Sequence, residues 1–298
     1  MVGSRVVVAG ASGLIGRALV RSLQLDGVEV VRLVRRPSRG SDEVEWLTRG
    51  TPLDPQALEG AKAVVVLNGA SVGRMPWTPK YRDALRQSRL QAVGAVVDAL
   101  RSLGTDAPAL LSGSAVGYYG SAPGRLLTES APAGDTFLAR LCVEWEAEAM
   151  RAAESTRVAL LRTSPVLHRE GVLKPLITLT RLGLGGPIGR GTQYWPWISL
   201  RDEVNAIRHV IEREIEGPVN LAAPTAATAN DIGRALARRM HRPFLVPAPA
   251  WAMRLVLGRD AVDSLLTSDA RVEPGVLTGS GFRFAHHTVE EAVASALA

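Results

Sequence analysis

The sequence predicts an α/β fold in which a doubly wound parallel sheet is followed by a smaller mixed α/β lobe. Three observations lead to this expectation. Short apolar runs of strand length alternate with amphipathic helical segments over residues 1–165. A glycine-rich turn joins the first apolar run to the first helical segment. Farther along the chain, the alternation of strand-length and helical segments gives way to loop sequence rich in glycine and aromatic residues. We therefore expect a sheet domain over 1–165 and a lobe over 166–298, with residues 198–222 as a candidate return to the main sheet.

The strands are predicted where consecutive apolar side chains would be buried on both faces of a parallel sheet. These runs are residues 6–9, 28–34, 63–67, 109–111 and 158–161. Between them, apolar residues recur at helical spacing and give each predicted helix one buried face. The repeating positions are Leu14, Ile15, Ala18, Leu19 and Leu23; Tyr81, Leu85, Ala92, Val96 and Leu100; and Leu138, Leu141, Cys142, Trp145 and Ala149.

The C-terminal lobe carries clear signals for helix ends. Thr228 is typical of an N-cap, and Pro249 introduces a short helix that stops at Gly258. Thr288 and Glu291 form a capping-box pattern for the last helix. We expect this lobe above the carboxyl ends of the strands, where open α/β sheets bind their ligands.

Charge and cysteine content exclude several classes of protein. The formal net charge is +6, but the basic residues are scattered, and no run of basic residues is longer than a pair such as Arg35 and Arg36. A nucleic-acid site would concentrate its charge on one face. No apolar run reaches the ~18–20 residues of a membrane span. Because Cys142 is the single cysteine, a disulfide framework is impossible.

The expected setting follows from these exclusions. We expect a cytoplasmic monomer or homodimer that acts on a small molecule, with no nucleic-acid or membrane partner. The adjacent histidines His286 and His287 have no carboxylate cluster around them, so no metal site is expected.

A glycine-rich loop follows the first predicted strand and opens the first helix. Gly10 permits a tight turn, Gly13 lets the backbone approach a pyrophosphate, and Gly16 lets the helix pack closely on the strand. The free N–H groups of the helix N-terminus favour phosphate at the same place. The predicted pyrophosphate contacts are Gly10, Ser12, Gly13, Leu14, Ile15 and Gly16.

The end of the second predicted strand indicates which dinucleotide binds. An enzyme that uses NAD has a carboxylate there for the ribose 2′-hydroxyl, whereas this strand ends in Arg35 and Arg36. Two guanidinium groups offer forked donors to a 2′-phosphate. We therefore predict NADP(H) as the cofactor.

These residues, with others spread along the chain, resemble the extended short-chain dehydrogenase/reductase superfamily, and more narrowly its epimerase family branch. The resemblance implies a Rossmann-like domain, a nicotinamide dinucleotide and the small C-terminal domain of that branch. It also implies cofactor contacts from Asn68, Gly69, Ala70, Cys142 and Thr163. The matching segments are residues 67–70, 77–78, 88–89, 112–120, 161–163, 184–187, 197–198 with Asp202, 219–220, 243–249 and 281–284.

The catalytic residues of the superfamily are only partly present. They comprise a serine after the fifth strand, then a tyrosine and a lysine four residues apart on the next helix. Ser114 matches the serine, but Leu138 and Cys142 stand at the tyrosine and lysine positions, on one helix face. We expect Ser114 to polarise the substrate oxygen, and Tyr118 or Tyr119 to be an alternative source of a hydroxyl.

Two functions stay open after this comparison. The first is an NADP(H)-dependent oxidoreductase or epimerase acting on a carbonyl or nucleotide-sugar-like substrate. Trp77, Tyr118, Trp195 and Trp197 are the predicted walls of its substrate site. The second is an NADP(H)-binding sensor or regulatory module without turnover. A polar group above the nicotinamide would favour the first function, and a closed or apolar surface would favour the second.

A hydrolase is a weaker interpretation of one motif. Residues 69–73 match the nucleophile-elbow pattern around Ser71, and Asp202 and His286 follow in hydrolase order. An elbow must turn directly into a helix, but residues 75–79 intervene here, so the pattern does not favour hydrolysis.

Overall fold

A computed structural model describes residues 1, 3–48 and 52–298 of the chain. Its strands in chain order are β1 (Arg5–Ala9), β2 (Glu29–Val34), β3 (Glu43–Glu45), β4 (Ala63–Val66), β5 (Ala109–Ala115), β6 (Leu126–Leu127), β7 (Val158–Thr163), β8 (Val166–Leu167), β9 (Ile198–Ser199), β10 (Gly217–Leu221) and β11 (Arg271–Val272). Its helices are α1 (Leu14–Leu25), α2 (Pro79–Leu103), α3 (Phe137–Met150), α4 (Leu173–Arg181), α5 (Leu200–Glu212), α6 (Ala229–Arg239), α7 (Ala250–Leu257), α8 (Arg259–Ala261), α9 (Gly275–Gly279) and α10 (Val289–Leu297). Strands β10, β7, β5, β4, β1, β2 and β3 pair in that order as one parallel sheet. The predicted doubly wound α/β fold is confirmed.

Helices cover both faces of this sheet. Val6 and Val8 of β1 belong to the core that includes α1 and α5, whereas Val7 and Ala9 belong to the opposite core with α2 and α3. Successive side chains of a strand point to opposite faces. A strand buried on both faces therefore consists of an unbroken apolar run, which is why β1 and β4 are predictable from sequence.

Three elements differ from the expectation. Strand β5 continues past its apolar run to Ala115, so that the buried residues Ser112 and Ser114 lie on the strand itself. Strand β3 pairs only with β2, and its two glutamates give no apolar run to detect. Helix α4 lies in a stretch for which the sequence predicted no element, and its apolar face packs into the C-terminal lobe.

The chain rejoins the large sheet after an excursion. Helix α5 packs on the α1 side of the sheet, and β10 pairs with β7 from Gly217 to Leu221. The C-terminal lobe has a separate core formed mainly by α4, α6 and α10. The N-caps expected at Thr228 and Thr288 are confirmed, each within a capping box.

The segment that follows α7 connects the lobe to the sheet domain. Ala261 of α8 lies in one apolar cluster with Trp77 and with Leu138 of α3. Asp260 forms an ion pair with Arg82 of α2. This segment therefore covers the N-terminal ends of α2 and α3. In the part of the chain that the structure describes, no helix has the length and apolar character needed to cross a membrane.

Candidate functional site

The glycine loop between β1 and α1 is shaped by close backbone contacts. Gly10 has φ +83°, and a Cβ atom there would lie 2.8 Å from the carbonyl carbon of Leu67 at the end of β4. A Cβ atom on Gly16 would overlap the carbonyl oxygen of Gly10. Gly13 differs, because a Cβ atom there would meet only that oxygen, at 3.3 Å. Gly10 and Gly16 thus hold the loop in place, and Gly13 leaves its outer surface open.

The N-terminus of α1 has the properties of a phosphate site. Gly13 is the N-cap, so no side chain satisfies the first N–H groups of the helix, and the first turn contains no acidic residue. Ser12 and Gly13 are exposed, whereas Leu14 and Ile15 are half-buried. Unsatisfied donors and the positive end of the helix dipole both favour a phosphate group here.

The two arginines after β2 are not equivalent in the structure. The Arg36 guanidinium donates two hydrogen bonds of 2.7 Å to the Glu43 carboxylate, one to each oxygen. Hydrogen bonding to Arg36 and to the backbone N–H of Arg39 lowers the pKa of Glu43 to about 2. Arg35 is exposed. Arg35 is therefore the more available of the two predicted phosphate ligands, and Glu43 positions Arg36.

The loop after β4 is held from behind by α2. The backbone N–H of Ala70 donates to Ser88 Oγ at 2.9 Å, and Arg89 Nη2 donates to the Ala70 carbonyl at 3.3 Å. Burial lowers the pKa of Arg89, whose guanidinium lies directly against Gly69. Asn68 Oδ1 is buried without a hydrogen-bond partner among the described residues. Because a buried acceptor normally has a hydrogen-bond partner, Asn68 Oδ1 at the carboxyl edge of the sheet could accept a hydrogen bond from a bound ligand.

Ser114 is part of a buried ionic network. Its Oγ donates to Glu146 Oε1 at 2.6 Å, and Arg162 holds the same carboxylate through Nε at 2.9 Å and Nη2 at 2.8 Å. A carboxylate paired with arginine can only accept hydrogen bonds, so the Ser114 hydroxyl donates its hydrogen bond to Glu146. The expected role of Ser114 toward a substrate oxygen stays a prediction; in this arrangement the Ser114 oxygen keeps lone pairs for a donor on the ligand.

The two tyrosines after β5 have separate roles. Tyr119 is buried, accepts from Arg162 Nη1 at 3.0 Å and donates to Asn220 Oδ1 at 2.6 Å. Burial raises the pKa of Tyr119. Tyr118 is half-buried, and its ring lies 3.6 Å from the centre of the Arg162 guanidinium. Tyr119 thus belongs to the packing network, and Tyr118 keeps the accessible hydroxyl of the pair.

Leu138 and Cys142 of α3, which the sequence comparison predicts at the tyrosine and lysine positions of the superfamily, are both buried. Leu138 is buried in the cluster with Trp77 and Ala261. Cys142 is buried with Sγ 3.7 Å from the Ala115 carbonyl oxygen, and burial raises its pKa to about 12. A thiol with this pKa is protonated at neutral pH and is not a nucleophile.

The three tryptophans predicted as substrate walls are buried and packed against neighbouring elements. Trp77 donates from Nε1 to the Val72 carbonyl at 3.0 Å and packs on the ring of Phe137. Trp195 and Trp197 are buried in the core of the lobe, and their indole N–H groups donate to backbone carbonyls. The cavity beside them holds only about 10 Å³. The large apolar surfaces of all three side chains are buried between elements, and their role as walls of a substrate site stays a prediction.

A second buried carboxyl group lies at the end of β7. Thr163 Oγ1 donates to Glu203 Oε1 at 2.8 Å, and Oε2 has no partner among the residues described. Complete burial raises the pKa of Glu203 to about 8. Sequence reasoning missed both Glu146 and Glu203, although each lies on the apolar face of its helix. A carboxylate at such a position was the available signal.

The residues of the hydrolase interpretation do not assemble. Asp202 and His286 do meet, but around Ser199 rather than Ser71: Ser199 Oγ donates to Asp202 Oδ2 at 2.8 Å and lies 2.9 Å from His286 Nδ1. Ser199 also caps α5, so the group joins the C-terminal segment to that helix. Within the described ranges, no cluster of three or more metal-ligating side chains occurs.

The chain is similar to known protein families and to individual proteins along most of its length. Residues 6–222 match the NAD dependent epimerase/dehydratase family, and residues 248–296 match a domain of unknown function, DUF1731. The epimerase family protein MT2273 of Mycobacterium tuberculosis is 38% identical over 296 residues, which cover 98% of this chain and 97% of that protein. The bovine epimerase family protein SDR39U1 is 32% identical over 94% of this chain and 95% of its own length.

Two solved structures support the same placement. The crystal structure of human SDR39U1 with NADPH matches with a TM-score of 0.86 at 28% identity, covering 98% of both chains. A nucleoside-diphosphate sugar epimerase from Corynebacterium glutamicum matches with a TM-score of 0.79 at 29% identity, covering 99% of this chain and 58% of that one.

Proposed function

The chain belongs to the NAD-dependent epimerase/dehydratase family, and from that premise we propose that it binds NADP(H) and acts on a small carbonyl or nucleotide-sugar-like substrate as an oxidoreductase or epimerase. The main observation in favour of the cofactor is the N-terminus of α1, which has no side-chain cap and follows a glycine loop with an open outer surface at Gly13. The related human protein solved with NADPH supports it. The arginines after β2 support a 2′-phosphate over a 2′-hydroxyl.

The site residues divide into a phosphate part and a reacting part. Gly13 and the first turn of α1 would hold the pyrophosphate, and Arg35 would hold the 2′-phosphate. When bound, NADP(H) supplies or accepts a hydride. The carboxyl ends of β5 and β7 bring Ser114 and Thr163 to the same edge of the sheet, which is where open α/β sheets bind ligands.

Ser114 would act on the substrate as an acceptor. Because its proton is held by Glu146, Ser114 Oγ favours a hydroxyl group of the substrate over a carbonyl oxygen. In oxidation of an alcohol, the substrate hydroxyl proton would pass to Ser114 Oγ as the proton of Ser114 passes to Glu146 Oε1. Arg162 keeps Glu146 oriented and balances its charge while it is ionised. Tyr118 is the alternative hydroxyl for this role.

The experiment is a turnover assay with matched serine variants. Purified protein is screened for NADP⁺ reduction against alcohols and nucleotide sugars, and for NADPH oxidation against the corresponding carbonyl compounds. We expect Ser114→Ala to reduce turnover by ~10²-fold or more, the scale of a positioned proton-transfer group. Ser112→Ala is the control, because Ser112 is buried on the same strand and donates only to the Gly113 carbonyl. Equal loss in both variants would show that Ser114 has no chemical role.

A second candidate function is an NADP(H) sensor without turnover. One observation favours it: Leu138, at the position of the usual tyrosine, is buried under Ala261 of the segment that follows α7. A ligand that enters here would displace this segment. In a sensor, NADPH binding would change hydrogen exchange at residues 259–266, and no compound of the panel would be turned over.

A further inference from the structure

The C-terminal lobe carries an exposed apolar surface that is independent of the proposed cofactor site. We call it the α4/α7 face. It consists of exposed side chains on α4, on α7 and on the two segments that precede α7 and follow α4. These are Val172, Leu179, Leu182, Leu184, Leu245, Val246, Trp251, Leu255 and Val256.

Helix α7 is the most exposed part of this face. None of its residues is buried, and none belongs to a hydrophobic cluster of the described chain. The exposed fractions of Trp251 and Leu255 are 67% and 80%. Trp251 and Leu255 are four residues apart and share one side of the helix. Helix α7 contacts α8 and the segment after it, but the apolar side that carries Trp251 and Leu255 has no partner in the described structure.

Backbone hydrogen bonds join the parts of the α4/α7 face into one surface. The N–H of Leu184 donates to the Leu179 carbonyl at 2.9 Å, which folds the loop back onto the end of α4. The N–H groups of Leu245 and Val246 both donate to the Gly185 carbonyl, at 2.8 and 3.0 Å. Helix α7 begins directly after this paired segment.

The same part of the chain concentrates positive charge. Residues 171–201 and 232–259 contain ten of the 35 lysine and arginine residues and none of the 29 aspartate and glutamate residues. Outside these two segments, acidic residues outnumber basic ones. Arg238 and Arg254 pair with Glu290 and Asp263 from neighbouring segments. Within the described structure, the exposed side chains of Lys174, Arg181, Arg239, Arg242 and Arg259 form no ion pair.

We propose that the α4/α7 face binds the surface of a membrane that contains anionic phospholipids. Trp251, Leu255 and Val256 would enter the boundary between headgroups and acyl chains, where tryptophan and aliphatic side chains of interfacial helices lie. Arg181 and Arg242, which flank the apolar residues, would contact phosphate and carboxylate headgroups. Charge complementarity selects this partner over a second copy of the chain, because two copies of this basic face would repel each other.

Trp251 provides a direct measurement of the proposed contact. The other five tryptophans are buried, so a change in tryptophan environment on binding reports mainly Trp251. The full-length protein is mixed with vesicles of phosphatidylcholine alone or with 30% phosphatidylglycerol, and flotation and fluorescence are recorded at low and high salt. We expect flotation and a blue-shifted emission only with the anionic vesicles, and weaker binding at high salt because charges are screened.

Matched variants distinguish binding by the α4/α7 face from nonspecific hydrophobic adsorption and from a general effect of positive charge. We expect Leu255→Ser, which keeps the reporter, and Arg181→Gln/Arg242→Gln each to weaken binding at least tenfold. The controls are Leu25→Ser, since Leu25 of α1 is 76% exposed but lies outside the face, and Arg21→Gln/Arg101→Gln at exposed positions of α1 and α2. All four variants lie on the surface, and circular dichroism and thermal unfolding confirm that each is folded.

Three results would overturn the proposal. The first is equal binding to neutral and anionic vesicles, and the second is full binding by the α4/α7 variants. The third is a dimer by sedimentation that Leu255→Ser dissociates, which would assign the face to a second copy of the chain. Because none of these readouts involves NADP(H) or turnover, failure here leaves the proposed function untouched.

Discussion

At the scale of single residues, two glycines of the first loop are expected to differ in role: Gly16 is needed for folding and Gly13 for ligand binding. A side chain at Gly16 would collide with the Gly10 carbonyl, whereas a Cβ atom at Gly13 would lie 3.3 Å from the same oxygen, a tight contact that a small shift relieves. The rest of a side chain at Gly13 is expected to occupy the space of a phosphate. We therefore expect Gly13→Val to fold with a nearly unchanged melting temperature and to lose NADPH binding in calorimetry. Gly16→Val should instead lower the melting temperature. Full NADPH affinity in folded Gly13→Val would remove the basis of the cofactor assignment.

Cofactor choice is also decided by single side chains. A charge-assisted hydrogen bond contributes about 1.5–3 kcal/mol, so loss of Arg35 should weaken NADPH binding at least tenfold and leave NADH binding nearly unchanged. Arg36→Ala should have a similar but indirect effect, because Glu43 would keep only Arg32 and the Arg39 N–H as partners and its negative charge would be less balanced. Titration of each variant with both nucleotides makes the comparison. Equal losses for NADH and NADPH would identify the arginines as general surface charge.

At the scale of elements, the first turn of α5 contains a carboxyl group that makes stability depend on pH. The folded pKa of Glu203, about 8, lies above its unfolded value of 4.5, so the folded state binds the extra proton between these limits. The stability that protonated Glu203 contributes is therefore fully present below pH 4.5. It is lost progressively as the pH rises toward 8, because ionisation of the buried carboxyl group lowers the free energy of unfolding.

Glu203→Gln tests this dependence because it keeps the shape and removes the charge. We expect the variant and the natural protein to have similar stability at pH 5. At pH 8.5 the variant should be more stable, on the order of 3 kcal/mol, since it avoids burying an ionised carboxylate. Urea unfolding across this range gives the difference. A constant difference at all pH values would show that Glu203 does not titrate in this window.

At the scale of the whole molecule, one buried network joins the sheet to the C-terminal lobe. Arg162 of β7 binds Glu146 of α3, Tyr119 and the Glu129 carbonyl. The Glu129 side chain in turn accepts from the backbone N–H groups of Asn220 in β10 and Val276 in α9. Loss of Arg162 should therefore affect both parts of the molecule together.

We expect Arg162→Met to lower the free energy of unfolding by about 3–5 kcal/mol, because it leaves the Glu146 carboxylate buried and unpaired. Arg238→Met is the control: its partner Glu290 is exposed, and a surface pair contributes only about 0–1 kcal/mol. Urea unfolding followed by tryptophan fluorescence and by circular dichroism measures both variants. Similar losses in the two would mean that the buried network adds little to stability.

The sequence by itself determined the features that depend on neighbouring residues. The apolar runs of β1 and β4, the glycine loop, the caps at Thr228 and Thr288 and the limits of α7 are all local in the chain. Each was predicted because backbone geometry and burial on two faces constrain residue type position by position. The departure at Leu138 and Cys142, inferred by counting along one helix, stays a prediction.

Only the tertiary structure decided which polar groups meet and which large side chains are buried. Ser114 and Glu146 are 32 residues apart in the chain, and Thr163 and Glu203 are 40 apart, so no local pattern pairs them. The same holds for Trp195 and Trp197, whose aromatic character fits a substrate wall or a core equally well. The direction of the Ser114 hydrogen bond, on which the proposed chemistry depends, follows from the Glu146 carboxylate, which folding brings to Ser114 and which Arg162 holds in place.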